Sequence, residues 1–408
     1  MRYRTTQHRV KQYRRSAAAL TAAAATLAAL SACGDESGDG RDPGADASGS
    51  PAAATVAEPL VVTYDGGLLV IDGETFEVAE NIPLEGFNRV NPAGNDRHVL
   101  VSTPTGFRVL DAAAGELTED EFAAAEPGHV VRHAGRTVLF ADGSGEVTSF
   151  DPAALGTGDG LPETETHTAA DPHHGVAIEL SNGELLLTLG TEEERSGILV
   201  LDENREEIAR SEDCPGVHGE ATAQGEAVVI GCEDGVLVYR DGVITKVDSP
   251  TEYGRIGNQA GSEESPVVLG DYKQDADAEL ERPEVVSLID TEAGTLTRVD
   301  LGTSYTFRSL GRGPHGEALV LGYDGHIHVI DPESAEVVNT IPVLDGEWQE
   351  PLEWQQPRPA LFVRGHVAYV SDPGANELHA VDLESGEVTD TLALPETPNE
   401  LSGVAAGE

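Results

Sequence analysis

The feature that most constrains this chain is a short mark that returns along its length. A run of apolar residues ends in aspartate, a turn follows, and another strand-like run begins. The marks are Val70-Ile71-Asp72, Val109-Leu110-Asp111, Ser149-Phe150-Asp151, Val200-Leu201-Asp202, Leu288-Ile289-Asp290, Val329-Ile330-Asp331 and Ala380-Val381-Asp382. Val238-Tyr239-Arg240-Asp241 fills the remaining gap as a degenerate copy, giving eight marks spaced 39 to 51 residues apart. A period of that size points to stacked repeat units, none of which can finish its own core.

Each unit contains several short β runs separated by turn signals such as Asn182-Gly183, Asp241-Gly242 and Ser385-Gly386. In one unit the runs are Val176 to Ile178, Glu184 to Leu189, Ile198 to Asp202 and Glu206 to Ala209. Helical periodicity is nearly absent; Glu119 to Ala125 is the one tempting stretch. Four strands in about 40 residues is the pattern of a propeller blade. The expectation is therefore an all-β propeller with eight blades, or seven if the degenerate unit is a decoration. The first mark comes early, so the first unit lacks its innermost strand. Glu400 to Ala405 is a strand-like piece left over at the end, suited to complete that unit and close the ring.

The start of the chain reads as an address. Arg2, Arg4, Arg9, Lys11, Arg14 and Arg15 precede an apolar stretch, Ala17 to Leu30, that is short for a membrane span. It ends in Leu30-Ser31-Ala32-Cys33, which resembles the lipobox of bacterial lipoproteins. The expected divisions are a signal peptide over residues 1–32, a Gly-, Asp-, Ser- and Pro-rich tether over 33–58 starting at a lipidated Cys33, and the propeller over 59–408. Export in that form places the protein outside the cytoplasm, held by lipid to the outer face of the cytoplasmic membrane. Of the other cysteines, Cys214 and Cys232 flank two strand-like runs and fall roughly opposite each other across a hairpin. In an oxidising compartment they are expected to form a disulfide, with a two-cysteine metal site as the rival.

The charge excludes some functions. With 73 acidic residues against 25 basic ones, the chain has a formal net charge of −48. It lacks the basic face that a nucleic-acid binder needs. The acids are spread between apolar runs, and such a field favours solubility and attracts cations. No phosphate loop, nucleophile elbow or dinucleotide fingerprint is present, and no catalytic residue stands out.

Three consecutive units place histidine at the entrance to their innermost strand. The strings are Pro127-Gly128-His129, Asp171-Pro172-His173-His174-Gly175-Val176-Ala177 and Cys214-Pro215-Gly216-Val217-His218-Gly219-Glu220-Ala221. Neighbouring innermost strands stand side by side around the axis, so His129, His174 and His218 can converge although 44 to 45 residues separate them. Neutral imidazole suits zinc, and three such rings plus water or a carboxylate make a tetrahedral site. His173, Asp171, Asp213 and Glu220 are candidates for a fourth ligand or for orienting a ring nitrogen. Read singly, each histidine also fits a turn or packing role. His315 reads as a hairpin-turn residue, His326 and His328 as blade-to-blade packing residues with a weaker second metal site as the alternative, and His98, His366 and His379 as lacking an evident partner.

At these strings the chain resembles the exported zinc metallochaperones of the AztD type. The resemblance covers the propeller from about Leu60 onward and rests on residues 127–129, 171–177 and 214–221 with Cys232. It implies a propeller that binds Zn2+ near its axis and hands it to the solute-binding protein of a zinc ABC importer; the chain is expected to be a monomer and not an enzyme. Some members carry a His-rich segment near the mature N-terminus; the tether here has none, which puts an auxiliary zinc site of that kind in doubt. Imidazole ligands compete with protons, so affinity is expected to fall below about pH 6.5. Two other classes remain open. One is a metal-free scaffold that binds protein or glycan through its loops. The other is a metal-dependent lactonase or hydrolase with Glu220 as base.

Overall fold

The computed structural model describes residues 55–405. The signal segment, Cys33 and most of the tether lie outside the described residues. The described chain is an eight-bladed propeller of four-stranded antiparallel sheets. Apart from strands it carries one 3-10 turn, Pro152–Ala154. Among the described residues no helix is long and apolar enough to cross a membrane.

Seven blades are built from four successive strands in chain order, inner to outer. The first is completed from the other end of the chain. Its order, inner to outer, is Leu401–Gly403, Leu60–Tyr64, Gly67–Asp72 and Glu77–Pro83. The pairing Leu60↔Gly403 and Val62↔Leu401 closes the ring. A buried clasp reinforces it: Arg308 donates to Glu400 Oε1 at 2.5 Å and to Asn399 Oδ1 at 2.7 Å, and the Glu400 amide donates to Thr63 Oγ1 at 2.9 Å.

Burial explains the alternation of apolar and acidic sequence. The middle strands are sandwiched between blades, as in His98–Thr103, where every residue is buried. Apolar clusters therefore cross blade boundaries; Val61, Leu68 and Val70 of the first blade pack with Val90, Val99 and Val101 of the second. Outer strands face water and hold many of the acids. The stretch that tempted a helix reading is such a strand, Glu116–Ala123, with sequence ELTEDEFA. Charged outer edges also discourage edge-to-edge association. The boundary expected at residue 59 moves inward. Val56 is buried, and its amide donates to the Ala113 carbonyl at 2.8 Å, so Val56–Glu58 belong to the propeller and not to the tether.

The recurring aspartate has a structural cause. It ends the third strand and caps the turn to the fourth. Asp290 Oδ1 accepts the Glu292 and Ala293 amides at 2.9 Å, Asp331 Oδ1 accepts that of Glu333 at 2.8 Å, and Asp382 Oδ1 accepts that of Ser385 at 2.7 Å. The degenerate unit is a complete blade, His218–Ala223 through Val243–Asp248. There Arg240 pairs directly with Val243 across a two-residue turn, Asp241-Gly242, whose φ values of 51° and 80° are both left-handed. That tight turn needs no aspartate cap.

Asp72 shows what the cap contributes. Its carboxylate is held below the ordinary range chiefly by the Ala57 amide, with Thr75 and Glu74 adding to it. A carboxyl group depressed on folding stabilises above its unfolded value and loses that contribution as pH falls through the folded one. Asp72→Ala is expected to lower stability by about 1–2 kcal/mol at neutral pH. The penalty should shrink below about pH 4. Urea unfolding at pH 7 and pH 3 checks this; an unchanged penalty at pH 3 contradicts it.

Candidate metal centre

The three predicted histidines meet on one face of the ring. His129 lies in Pro127–His133, His218 opens His218–Ala223, and His174 stands in the loop entering Ala177–Glu179. One ligand nitrogen from each lies within 4.8 Å of the other two. Ring centroids are 5.0 Å apart for His174 and His218, 5.2 Å for His129 and His174, and 5.4 Å for His129 and His218.

Local backbone irregularities aim these rings. The register shifts between Pro127 and Val130 and again between His218 and Glu220, so His129 and His218 both sit at bulges. Bulges turn a side chain out of the regular alternation. Two glycines leave space for the groups behind the rings. A Cβ on Gly128 would lie 2.2 Å from Asp142 Oδ1, and one on Gly219, at φ 71°, would lie 2.3 Å from Gln259 Oε1.

Acceptors fix the tautomers of two rings. His174 Nδ1 lies 2.5 Å from Asp142 Oδ2, and His218 Nδ1 lies 2.5 Å from the Gly257 carbonyl oxygen. A carbonyl or carboxylate oxygen only accepts, so both Nδ1 atoms carry the proton. In the neutral rings both Nε2 atoms then present lone pairs. The two Nε2 atoms stand 3.1 Å apart. Without a cation or proton between them the approach is repulsive. Three nitrogens about a tetrahedral zinc stand about 3.3 Å apart, given zinc–nitrogen bonds of about 2.0–2.1 Å. The spacing is thus close to what the ion requires.

Supporting groups hold the acceptors. The Gly257 loop is pinned by Asp271, a buried residue whose Oδ1 accepts the Gly257 amide at 2.6 Å and the Asn258 amide at 3.1 Å. A disulfide joins Cys214 to Cys232, with Cα atoms 4.9 Å apart, and fixes the loop that delivers His218. Closing a loop of that length contributes about 3 kcal/mol.

Burial disfavours the charged form of two of the rings. Burial pushes His218 down to about 3, with the charges of Arg255 and Arg195 acting in the same direction. Burial likewise places His129 well below the usual imidazole value. The fall in affinity expected below about pH 6.5 therefore moves to lower pH for these two ligands. Glu220 approaches His129 Nδ1 at 4.0 Å, too far for a hydrogen bond, and burial raises its carboxyl to about 8.

The other predicted candidates are placed elsewhere. His173 is buried, with Nδ1 on the Asp171 carbonyl at 2.9 Å and Nε2 at 3.0 Å from Thr188 Oγ1, so its ring serves the blade. Asp171 is exposed and takes part through that carbonyl, not its carboxylate. Asp213 is exposed as well, its carbonyl accepting Lys246 Nζ at 2.8 Å. Neither acid belongs to the histidine group. Sequence reasoning missed Asp142 and Gly257. Asp142 stands in a turn between strands with no motif around it, and Gly257 contributes only its backbone.

The site opens into a cavity of about 360 Å3 lined by Arg89, Arg255, Lys273, Phe307 and Trp354 as well as the histidines. Trp354 stacks edge-on against Phe87, with centroids 5.1 Å apart, whereas Trp348 packs on Tyr323 away from the mouth. The mouth of a strongly acidic chain is thus rimmed with basic residues, contrary to the cation-attracting field expected from composition.

Comparison with known proteins agrees with the resemblance read from the histidine strings. No family model matches the chain. It is 24% identical over 299 residues to the zinc chaperone AztD of Citrobacter koseri, covering 71% of this chain and 68% of that one. The structure of apo AztD from Citrobacter koseri superposes with a TM-score of 0.72 at 20% identity, covering 85% of this chain and 98% of that one. The structure of dihydro-heme d1 dehydrogenase NirN gives a TM-score of 0.59 at 13% identity over 87% and 76% of the two chains.

The tight fit at Gly128 yields a prediction. Gly128→Ala should force Asp142 away from His174 and lower stability by about 1–3 kcal/mol. Gly158→Ala, whose Cβ would meet nothing within 4 Å, is the matched control and should be neutral. Urea unfolding of the two variants compares them directly; equal stability would contradict the packing argument.

Proposed function

We propose that this protein is an extracytoplasmic zinc metallochaperone, holding Zn2+ on His129, His174 and His218 and passing it to the solute-binding protein of a zinc ABC importer. The observation that carries the reading is the pair of Nε2 atoms 3.1 Å apart, each ring fixed through Nδ1 by an acceptor. Neutral, preoriented imidazoles favour zinc over calcium or magnesium, which prefer oxygen.

The surroundings suit transfer as well as capture. Imidazole ligands add no negative charge to offset the ion, and Arg195 and Arg255 oppose added positive charge near His218. His174 is exposed, so an incoming ligand can reach the metal and replace protein nitrogens one at a time. The basic rim of Arg89, Arg255 and Lys273 suits a partner with an acidic docking face. The similarity to a protein named as a zinc chaperone supports the same reading. Lipid attachment through Cys33 would keep the donor beside the importer.

A hydrolytic role is less well served. Glu220 is the candidate base, yet its carboxylate lies 4.0 Å from His129 Nδ1 and is not one of the three groups that converge on the site.

Purified chain titrated with zinc against a chromophoric chelator should take up one more tightly bound equivalent than His174→Ala or His218→Ala. Asp142→Asn should weaken this uptake about 10–100-fold while leaving the fold intact. Loaded protein mixed with the apo solute-binding protein should then transfer zinc faster than free dissociation allows. Zinc uptake indifferent to all three substitutions would overturn the assignment; uptake without accelerated transfer would leave a zinc store and overturn the chaperone role.

A further inference from the structure

On the opposite face of the ring, the turns of two adjacent blades bring together residues that are distant in sequence. His315 lies in the turn between Leu310–Arg312 and Ala318–Leu321. His366 lies in the turn between Ala360–Arg364 and Val367–Asp372, and Glu384 in the turn between Glu377–Asp382 and Glu387–Ala393. These turns join first to second or third to fourth strands, whereas the central histidines stand where chains enter first strands. We propose that His315, His366 and Glu384 form a second site for a divalent cation of the zinc class.

One ligand atom from each of the three lies within 4.8 Å of the other two. His366 Nδ1 is 3.5 Å from Glu384 Oε1, and the His315 and His366 rings meet edge to face with centroids 5.8 Å apart. Two imidazoles and one carboxylate are a known ligand set for zinc, with water completing the shell. The carboxylate offsets part of the ion's charge, which the three central rings cannot do.

The turns are held rather than loose. Arg312 lies beneath the His315 turn, donating to the Gly316 carbonyl at 2.5 Å and to the Glu317 carbonyl at 3.2 Å. The His315 amide donates to Glu317 Oε2 at 3.0 Å. The His366 turn is tied to the Glu384 turn by the Leu383 amide, which donates to the His366 carbonyl at 2.9 Å. The Glu384 turn is itself capped by Asp382, which accepts the Ser385 amide at 2.7 Å. The metal would therefore close a nearly formed triangle between blades. A cavity of about 320 Å3 beside it, lined in part by His315, Glu317, Leu383 and Glu384, leaves access for the ion and its waters.

The test uses zinc ion alone and does not depend on the central site. A chain carrying His174→Ala and His218→Ala should still take up one equivalent of zinc. Adding His366→Ala or His315→Ala should weaken that uptake at least tenfold, and Glu384→Gln should weaken it less. These are exposed turn residues, and circular dichroism with urea unfolding checks that each variant is folded. As a second measurement, unmodified chain should bind two equivalents and His366→Ala one. No uptake by the folded His174→Ala/His218→Ala chain, or uptake unaffected by His315→Ala and His366→Ala, overturns the second site. Failure of the central reading would appear separately, as no tight zinc in a chain carrying only His315→Ala and His366→Ala.

Discussion

The site depends on two imidazole Nε2 atoms held face to face. Asp142 and the Gly257 carbonyl each claim a proton on Nδ1, which directs Nε2 of His174 and of His218 toward each other. At 3.1 Å the two Nε2 atoms can share a proton or, once that proton leaves, a metal ion. The surrounding features serve to hold those acceptors in place: the pinned Gly257 loop, the Cys214–Cys232 bridge, and the glycines at 128 and 219 that make room behind the rings.

The ring makes this possible. A single blade could not bring together residues more than 40 positions apart in sequence. Adjacent blades place their inner strands side by side, so three successive entrances converge. Closure by Leu401–Gly403, with the Arg308–Glu400 clasp, fixes the geometry around the circle. Inter-blade packing of middle strands supplies the rigidity, while outer strands carry much of the charge and contribute little to the site. The two histidine groups then occupy opposite faces, one where chains enter the blades and one on turns within them.

Much of this architecture was legible in the sequence because its signals are periodic. The aspartate marks report a turn cap that each regular blade needs, and the one irregular mark reports a shorter turn. Closure was readable from an early first mark and a leftover strand. The convergence of His129, His174 and His218 followed from equivalent positions in consecutive repeats. Asp142, Gly257 and the pairing of His315 with His366 were not readable. Asp142 sits in an unremarkable turn, Gly257 acts through its backbone, and His315 and His366 occupy equivalent turns whose proximity depends on the twist between blades. His173 misled because it adjoins His174, yet the chain turns its ring inward to Thr188. Composition misled about the mouth, since net charge says nothing of where the few basic residues gather.

The most direct measurement is X-ray absorption at the zinc edge on the His315→Ala/His366→Ala chain loaded with one equivalent of zinc. The account predicts three histidine nitrogens at about 2.0–2.1 Å with one further light ligand. The same sample bearing His218→Ala should lose that signature. A spectrum with sulfur or mainly carboxylate ligands, or one unchanged by His218→Ala, would contradict it.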